Sequence, residues 1–92
     1  MQTIHTLKTL KPFFQMQLDG KKPWEMRLND RDFKVGDIII QKEITLKPLV
    51  YTGREKRDVI TYVFHAKTLF NIIDLVVMTI EPMPSNTLTE ES

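Results

Sequence analysis

Three apolar segments in a chain of 92 residues limit what this sequence can fold into. Residues 38–46 are rich in β-branched side chains, which is typical of central strands. Residues 55–64 place apolar side chains on both faces of a predicted strand, and residues 72–80 do so again apart from Asp74 and Thr79. Because a flat sheet would leave one apolar face in water, the sequence predicts a closed or nearly closed β-barrel.

One amphipathic helix is predicted over residues 11–19. Pro12 has the fixed φ that suits a first helical turn, and Gly20 follows an Asp at a position where many helices end in a left-handed residue. Phe13 and Phe14 are interpreted as anchors that hold the helix against the core. The helix is therefore predicted to pack over part of the barrel.

Two shorter strands and several turns complete the predicted fold. Residues 3–7 and 24–28 alternate in polarity, and residues 29–32 are dense in turn formers. Further turns are predicted at residues 35–37 and 51–53. The predicted fold class is α+β, a small β-barrel of about five to six mostly antiparallel strands with one main helix.

Composition is typical of a single globular domain. The chain has 41% hydrophobic and 27% charged residues, so residues 1–81 are predicted to form one domain and residues 82–92 a flexible tail. Without Cys there is no disulfide framework or thiolate metal site, and His5 and His65 lie far apart, so no metal or cofactor is predicted. His5 is interpreted as a structural histidine. No signal peptide or membrane-spanning segment is recognised, which predicts a cytoplasmic protein without membrane contacts.

Charged residues are densest between residues 21 and 32. They are Lys21, Lys22, Glu25, Arg27, Asp30, Arg31 and Asp32. On the predicted strand, Glu25 and Arg27 project from the same face, and Lys22 in the preceding turn can reach the same space. Such a group suits a phosphate or a nucleobase edge, since Arg offers a planar fork and Glu accepts from an exocyclic amine. The alternative is an ion pair that braces the rim of the barrel.

Short motifs in and after this region resemble a known family. Residues 20–27, GKKPWEMR, resemble the G-x-K-x-x-E-x-R motif of ASCH domains, a branch of the PUA-like β-barrel fold. Residues 29–37, NDRDFKVGD, and residues 51–55, YTGRE, resemble segments of a small bacterial and phage group of that family with no assigned function. The resemblance extends over nearly the whole chain up to Ile80. It implies a PUA-like barrel with a cleft beside the helix, lined by the motif residues, whose ligand is often RNA or a nucleobase.

The polar cluster and the resemblance together give one set of candidate ligand-binding residues. They are Lys21, Lys22, Trp24, Glu25, Arg27 and Arg31. Trp24 can stack on a base, or it can be a core or rim aromatic. The basic run at residues 54–57 either extends a phosphate-binding surface or is a solvated face. Asp30 and Asp32 are predicted to organise their loop through hydrogen bonds to the backbone.

Three functions are consistent with these residues. The first is a module that binds RNA or a nucleotide, although a net charge of +1 does not by itself indicate nucleic acid. The second is a small amidohydrolase that acts on a modified nucleoside, and the third is a phage-type inhibitor that binds a protein. The sequence leaves the ligand and the oligomeric state open.

The hydrolase hypothesis depends on the resemblance. One set of small ASCH enzymes hydrolyses the amide of N4-acetylcytidine with a lysine, a threonine and a glutamate. By resemblance, Lys22 takes the position of the catalytic lysine and Arg27 that of an arginine of the site. Glu25, however, stands at the threonine position, and the insertion that carries the glutamate is reduced here to a few residues without Glu. The resemblance therefore locates a cleft better than it specifies a reaction.

Overall fold

The computed structural model of this protein describes residues 2–70 and 74–83. Within these residues, five strands and two helices follow one another along the chain. They are β1 (Ile4–Leu10), α1 (Lys11–Leu18), β2 (Trp24–Leu28), β3 (Ile38–Thr45), β4 (Val50–His65), α2 (Lys67–Phe70) and β5 (Leu75–Pro82). The predicted tail lies outside the described residues from position 84 on. Neither described helix is long and apolar enough to cross a membrane.

The strands form one mixed sheet in the order β1-β3-β4-β5-β2. Strand β1 pairs with β3 in parallel, with Ile4 opposite Ile38, and the other three strand pairs are antiparallel. The sheet curls into a half-barrel. Because β1 and β2 come first and last in the strand order, they are its two edge strands. The prediction of a small α+β fold with mostly antiparallel strands is confirmed, but the described barrel is open between β1 and β2.

The core fills the concave side of the sheet. Its fully buried apolar side chains come from β1, the β2–β3 loop and the three central strands: Leu7, Phe33, Ile39, Ile60, Val76, Met78 and Ile80. Helix α1 packs against β1 and β3 and buries Phe14 completely. Burying such a side chain contributes about 1.5–3 kcal/mol. Phe13 is 44% exposed, so the prediction that both phenylalanines are core anchors is correct for Phe14 and wrong for Phe13.

A β-bulge in β4 decides which of its side chains face inward. Ile60 lies opposite Ile80, whereas Tyr62 lies opposite Thr79, so β4 carries one extra residue at this point. Ile60 is buried, but Tyr62 is 59% exposed. One extra residue reverses the alternation of a strand. The bulge therefore explains why Ile60 and Tyr62 lie on different faces, although period-two alternation predicts the same face.

The connections differ from the predicted ones in two places. Residues 51–53 lie within β4, and the link between β3 and β4 is formed by residues 46–49. In the loop after β2, Asn29 Oδ1 accepts a backbone N–H at 3.2 Å and Asp37 Oδ2 accepts another at 3.1 Å. Asp30 and Asp32 are exposed, and in the described loop their side chains pair with the basic residues Arg31 and Lys34 rather than with the backbone. Asn29 and Asp37 thus take the loop-organising role that the sequence assigned to the two aspartates.

A buried hydrogen bond fixes β1 to the end of the same loop. His5 Nε2 lies 2.8 Å from Asp37 Oδ2, and both side chains are buried. The imidazole also packs against the Phe33 ring, with the ring centroids 4.6 Å apart. The interpretation of His5 as a structural histidine is confirmed.

Candidate functional site

Two arginine side chains cross the gap between the edge strands β1 and β2. Arg27 Nη2 donates to the carbonyl oxygen of Lys8 at 2.7 Å, and Arg31 Nη1 donates to that of Thr6 at 2.8 Å. In a closed barrel, backbone N–H groups of a neighbouring strand would occupy such carbonyls. Here guanidinium groups satisfy them, and space remains between the two strands.

A cleft of about 410 Å³ occupies this gap beside α1. It is lined by residues 8–10 of β1, by Phe13 of α1, and by Lys22 and residues 24–27. The volume lies in the range of about 300–1,000 Å³ that is usual for small-molecule sites. Among the six candidate ligand-binding residues, the cleft brings together Lys22, Trp24, Glu25 and Arg27. Lys21 is exposed outside it, and Arg31 lies further along the gap.

Glu25 is the buried centre of the cleft wall. Its residue exposure is 4%, because the alternation of β2 turns it inward between the exposed Trp24 and Met26. Gln17 donates to its Oε1 at 2.7 Å, and Arg27 donates to its Oε2. The ammonium of Lys22 lies 3.5 Å from Oε1. Both carboxylate oxygens are engaged, so Glu25 acts first as an anchor that positions Lys22 and Arg27.

Lys22 is held at the wall of the cleft by groups that stabilise a cation. Its Nζ lies 4.4 Å from the centroid of the Trp24 ring and 5.6 Å from that of Phe13. It also donates to the carbonyl oxygen of Trp24 at 3.2 Å. A cation over an aromatic face gains about 0.5–2 kcal/mol. The lysine therefore presents a positive charge between two partly exposed aromatic side chains.

Five side chains from four elements close a ring of hydrogen bonds behind the cleft. Arg27 donates to Thr9 Oγ1 at 3.3 Å, Thr9 donates to Gln41 Oε1 at 2.6 Å, and Gln41 donates to Gln17 Oε1 at 2.7 Å. The contacts of Gln17 and Arg27 with Glu25 complete this hydrogen-bond ring. Strands β1, β2 and β3 and helix α1 are thus joined at the wall of the cleft.

A buried ion pair extends the hydrogen-bond ring into the barrel. Gln41 Nε2 also donates to Asp58 Oδ2 at 3.2 Å, and Lys56 pairs with the same carboxylate. The side chains of Lys56 and Asp58 are each 3% exposed. Burial lowers the pKa of Lys56, against the opposing effects of Asp58 and of the nearby Glu25.

The basic run at residues 54–57 is therefore not one phosphate-binding surface. Lys56 lies inside the barrel, and Arg54 holds the buried carboxylate of Glu43 with contacts of 2.9 and 3.1 Å. The residues that sequence reasoning missed are Thr9, Phe13, Gln17, Gln41 and Asp58. A signal was present for Gln41 and Asp58, since each is a polar residue two positions from a buried apolar residue of the same strand, Ile39 and Ile60 respectively.

No group of three or more His, Cys, Asp or Glu among the described residues is placed to hold a metal ion. The site is instead a cationic cleft with aromatic walls and one anchored carboxylate.

Comparison with known proteins places the whole half-barrel in one family. A family model described as "Domain of unknown function (DUF3850)" matches residues 4–80, which include every described strand apart from the last two residues of β5. A protein of Escherichia phage P2, described as an uncharacterized 12.9 kDa protein in GpA 3'region, is 38% identical over 61 residues. That alignment covers 66% of this chain and 54% of the phage protein, so the chain spans about half the length of this relative.

Proposed function

This chain belongs to the DUF3850 family, and we propose that it is an ASCH-type, PUA-like module that binds RNA or a nucleotide in the cleft between β1 and β2. The ASCH resemblance of residues 20–27 supports the proposal, since these residues supply most of the cleft wall. The curled sheet with one helix beside the cleft is the arrangement that the resemblance implies.

The placement of cations beside exposed aromatic side chains carries the proposal. Lys8, Lys22 and Arg27 line the cleft, and the single acidic side chain in its lining, Glu25, is engaged by protein donors. Phe13 and Trp24 are 44% and 40% exposed and lie on the same cleft. Nucleotides offer an anionic phosphate and a planar base, and stacking on an aromatic side chain is worth about 1–3 kcal/mol per base. The cleft thus matches both parts of a nucleotide.

Binding of short single-stranded RNA, measured by fluorescence anisotropy at several salt concentrations, tests the proposal. We expect Lys22→Ala and Trp24→Ala to raise Kd, and Lys22→Ala to reduce the salt dependence because one phosphate contact is lost. Lys34→Ala is the matched control, since Lys34 is an exposed lysine outside the cleft. Circular dichroism verifies that each variant is folded. Unchanged Kd in both cleft variants would rule out binding at this site.

The hydrolase alternative has less support in the geometry. Glu25 occupies the position where the related hydrolases have a threonine, and its oxygens bond to Gln17 and Arg27. The Nζ of Lys22 lies against a carboxylate and two aromatic faces, so it is already engaged by protein groups at the wall of the cleft. We therefore expect no cytidine when a high concentration of the protein is incubated with N4-acetylcytidine and the products are separated by chromatography. Cytidine release that Lys22→Ala abolishes would establish the hydrolase instead.

A further inference from the structure

A second pocket lies in the same gap, next to the cleft. Its volume is about 180 Å³, and it is lined by Leu7, Arg27, Leu28, Asp30, Arg31 and Phe33. This volume is below the range of about 300–1,000 Å³ that holds a small molecule by itself. Arg27 lines both the cleft and the second pocket. The second pocket is therefore an extension of the cleft on the far side of the Arg27 side chain.

We propose that the gap binds an extended single-stranded RNA of two or more nucleotides, with one nucleotide in the cleft, its phosphate at Arg27, and the adjoining phosphate at Arg31 beside the second pocket. The inference rests on the proposed function and specifies its ligand as an oligonucleotide. It also aligns the RNA backbone with the edges of β1 and β2.

The two arginines retain donors for a phosphate after their protein contacts are made. A guanidinium has five N–H donors. Arg31 uses Nη1 for the carbonyl of Thr6, and its ion pair with Asp30 is long, at 3.9 Å. Asp30 is 70% exposed and Arg31 46% exposed, so this pair is weak in water. A phosphate can compete for Arg31 because charge-assisted, two-pronged bonds to phosphate are stronger than an exposed ion pair.

The spacing of the arginines suits consecutive phosphates. Arg31 and Arg27 are anchored on the carbonyls of Thr6 and Lys8, which are two residues apart on one strand edge. Two residues of a strand span about 6.6 Å. Adjacent phosphates of an extended single strand are separated by a similar distance. A duplex would hold its bases away from the narrow gap, whereas a single strand can turn a base toward Phe13 and Trp24.

The test compares mononucleotides with dinucleotides. Kd is measured by calorimetry for 5′-phosphorylated pA, pC, pG and pU and for the homodinucleotides pApA, pCpC, pGpG and pUpU. We expect the best dinucleotide to bind about tenfold more tightly than its mononucleotide, since one charge-assisted contact is worth about that factor. Arg31→Ala should reduce this ratio to about one, and Asp30→Asn should increase it because a competing carboxylate is removed. Lys34→Ala, an exposed lysine in the same loop, should leave the ratio unchanged.

The outcomes separate this inference from the proposed function. Mononucleotide and dinucleotide binding with equal Kd would overturn the inference and leave the proposed function standing. A ratio that is unaffected by Arg31→Ala would place the second phosphate elsewhere and also overturn it. If no nucleotide of either length binds, both proposals are wrong. Arg31 is 46% exposed and its side chain bonds to the carbonyl of Thr6 near the surface, so thermal denaturation should find Arg31→Ala folded.

Discussion

Arg27 on β2 donates a hydrogen bond to the carbonyl oxygen of Lys8 on β1 at 2.7 Å, across the gap between the two edge strands. The same guanidinium bonds to Glu25 on its own strand and to Thr9 on β1. One side chain thus performs two tasks: it ties the edges of the half-barrel together and places a positive charge in the cleft. We therefore expect stability and the proposed ligand binding to be coupled at this residue.

Replacing Arg27 by Lys should therefore destabilise the fold even though the charge is kept. A lysine has one nitrogen and cannot contact Glu25, Thr9 and the Lys8 carbonyl together. We expect the free energy of unfolding in urea to fall by about 1–3 kcal/mol. Arg31→Lys is the matched control, because Arg31 crosses the same gap with a hydrogen bond to the carbonyl of Thr6 and is 46% exposed. Equal losses in the two variants would contradict the special role of Arg27.

The buried pair of Lys56 and Asp58 gives a second prediction. Lys56→Met leaves the buried Asp58 carboxylate with its hydrogen bond from Gln41 but without the lysine cation, so we expect the unfolding free energy to fall by about 3–5 kcal/mol. The double variant Lys56→Met/Asp58→Leu removes both charges, and its unfolding free energy should return close to that of the natural protein.

Equilibrium urea denaturation measures both Lys56 variants. Lys42→Met is a control for the loss of a lysine from an exposed pair, since Lys42 lies 3.7 Å from Glu55 with both side chains more than a third exposed. Its cost should be no more than about 1 kcal/mol. A double variant as unstable as Lys56→Met would show that the pair is needed for the packing of the barrel.

Acid should weaken the contact between Glu43 on β3 and Arg54 on β4. The hydrogen bonds of Arg54, assisted by Thr52, outweigh burial and lower the pKa of Glu43 below 4.5. Below pH 4.5 the unfolded chain therefore binds more protons at this group than the folded chain does. The stabilisation is complete above that pH and is lost as the pH falls through the lower folded pKa.

Urea denaturation between about pH 6 and pH 3 measures this loss. The unfolding free energy of Glu43→Gln should fall less steeply below pH 4.5 than that of the natural protein. Some acid sensitivity remains from Asp37: burial raises its pKa, but bonds from His5 and from backbone N–H groups prevail and lower it from 3.8. Identical slopes for the natural protein and Glu43→Gln would refute the role of Glu43.

Local sequence periodicity was sufficient to predict the helix and strand whose conformation depends mainly on residues close to them in the chain. The helix predicted at residues 11–19 is α1 (Lys11–Leu18), and the strand predicted at 24–28 is β2 (Trp24–Leu28). The bulge in β4 was not predictable in this way. It arises where Ile60 and Tyr62 pair with Ile80 and Thr79 of β5, and that register depends on residues 20 and 17 positions away along the chain (80 − 60 and 79 − 62).

The same distinction applies to the site. Lys22, Glu25 and Arg27 are brought together by one turn and one strand, so their spacing alone predicted that they reach one shared space. The other members of the hydrogen-bond ring, Gln17, Thr9 and Gln41, come from a helix and two other strands. Only the packing of α1 and the pairing of β1 with β3 join them, and neither is contained in a short motif.

Phe13 and Phe14 permit the most direct test of how α1 is oriented. Neighbouring helical residues point about 100° apart, so only one of the two can face the core. Phe14 is fully buried, and the Cζ atom of Arg54 lies 5.1 Å from the centroid of its ring, whereas Phe13 lines the cleft.

We expect Phe14→Ala to lower the unfolding free energy by about 3–5 kcal/mol and Phe13→Ala by less than about 1 kcal/mol. Phe13→Ala should instead raise the Kd for RNA, because a stacking surface is removed. Urea denaturation measures the unfolding free energy of both variants, and fluorescence anisotropy measures their Kd for RNA. A larger loss of stability for Phe13→Ala than for Phe14→Ala would show that the helix is rotated from the orientation described.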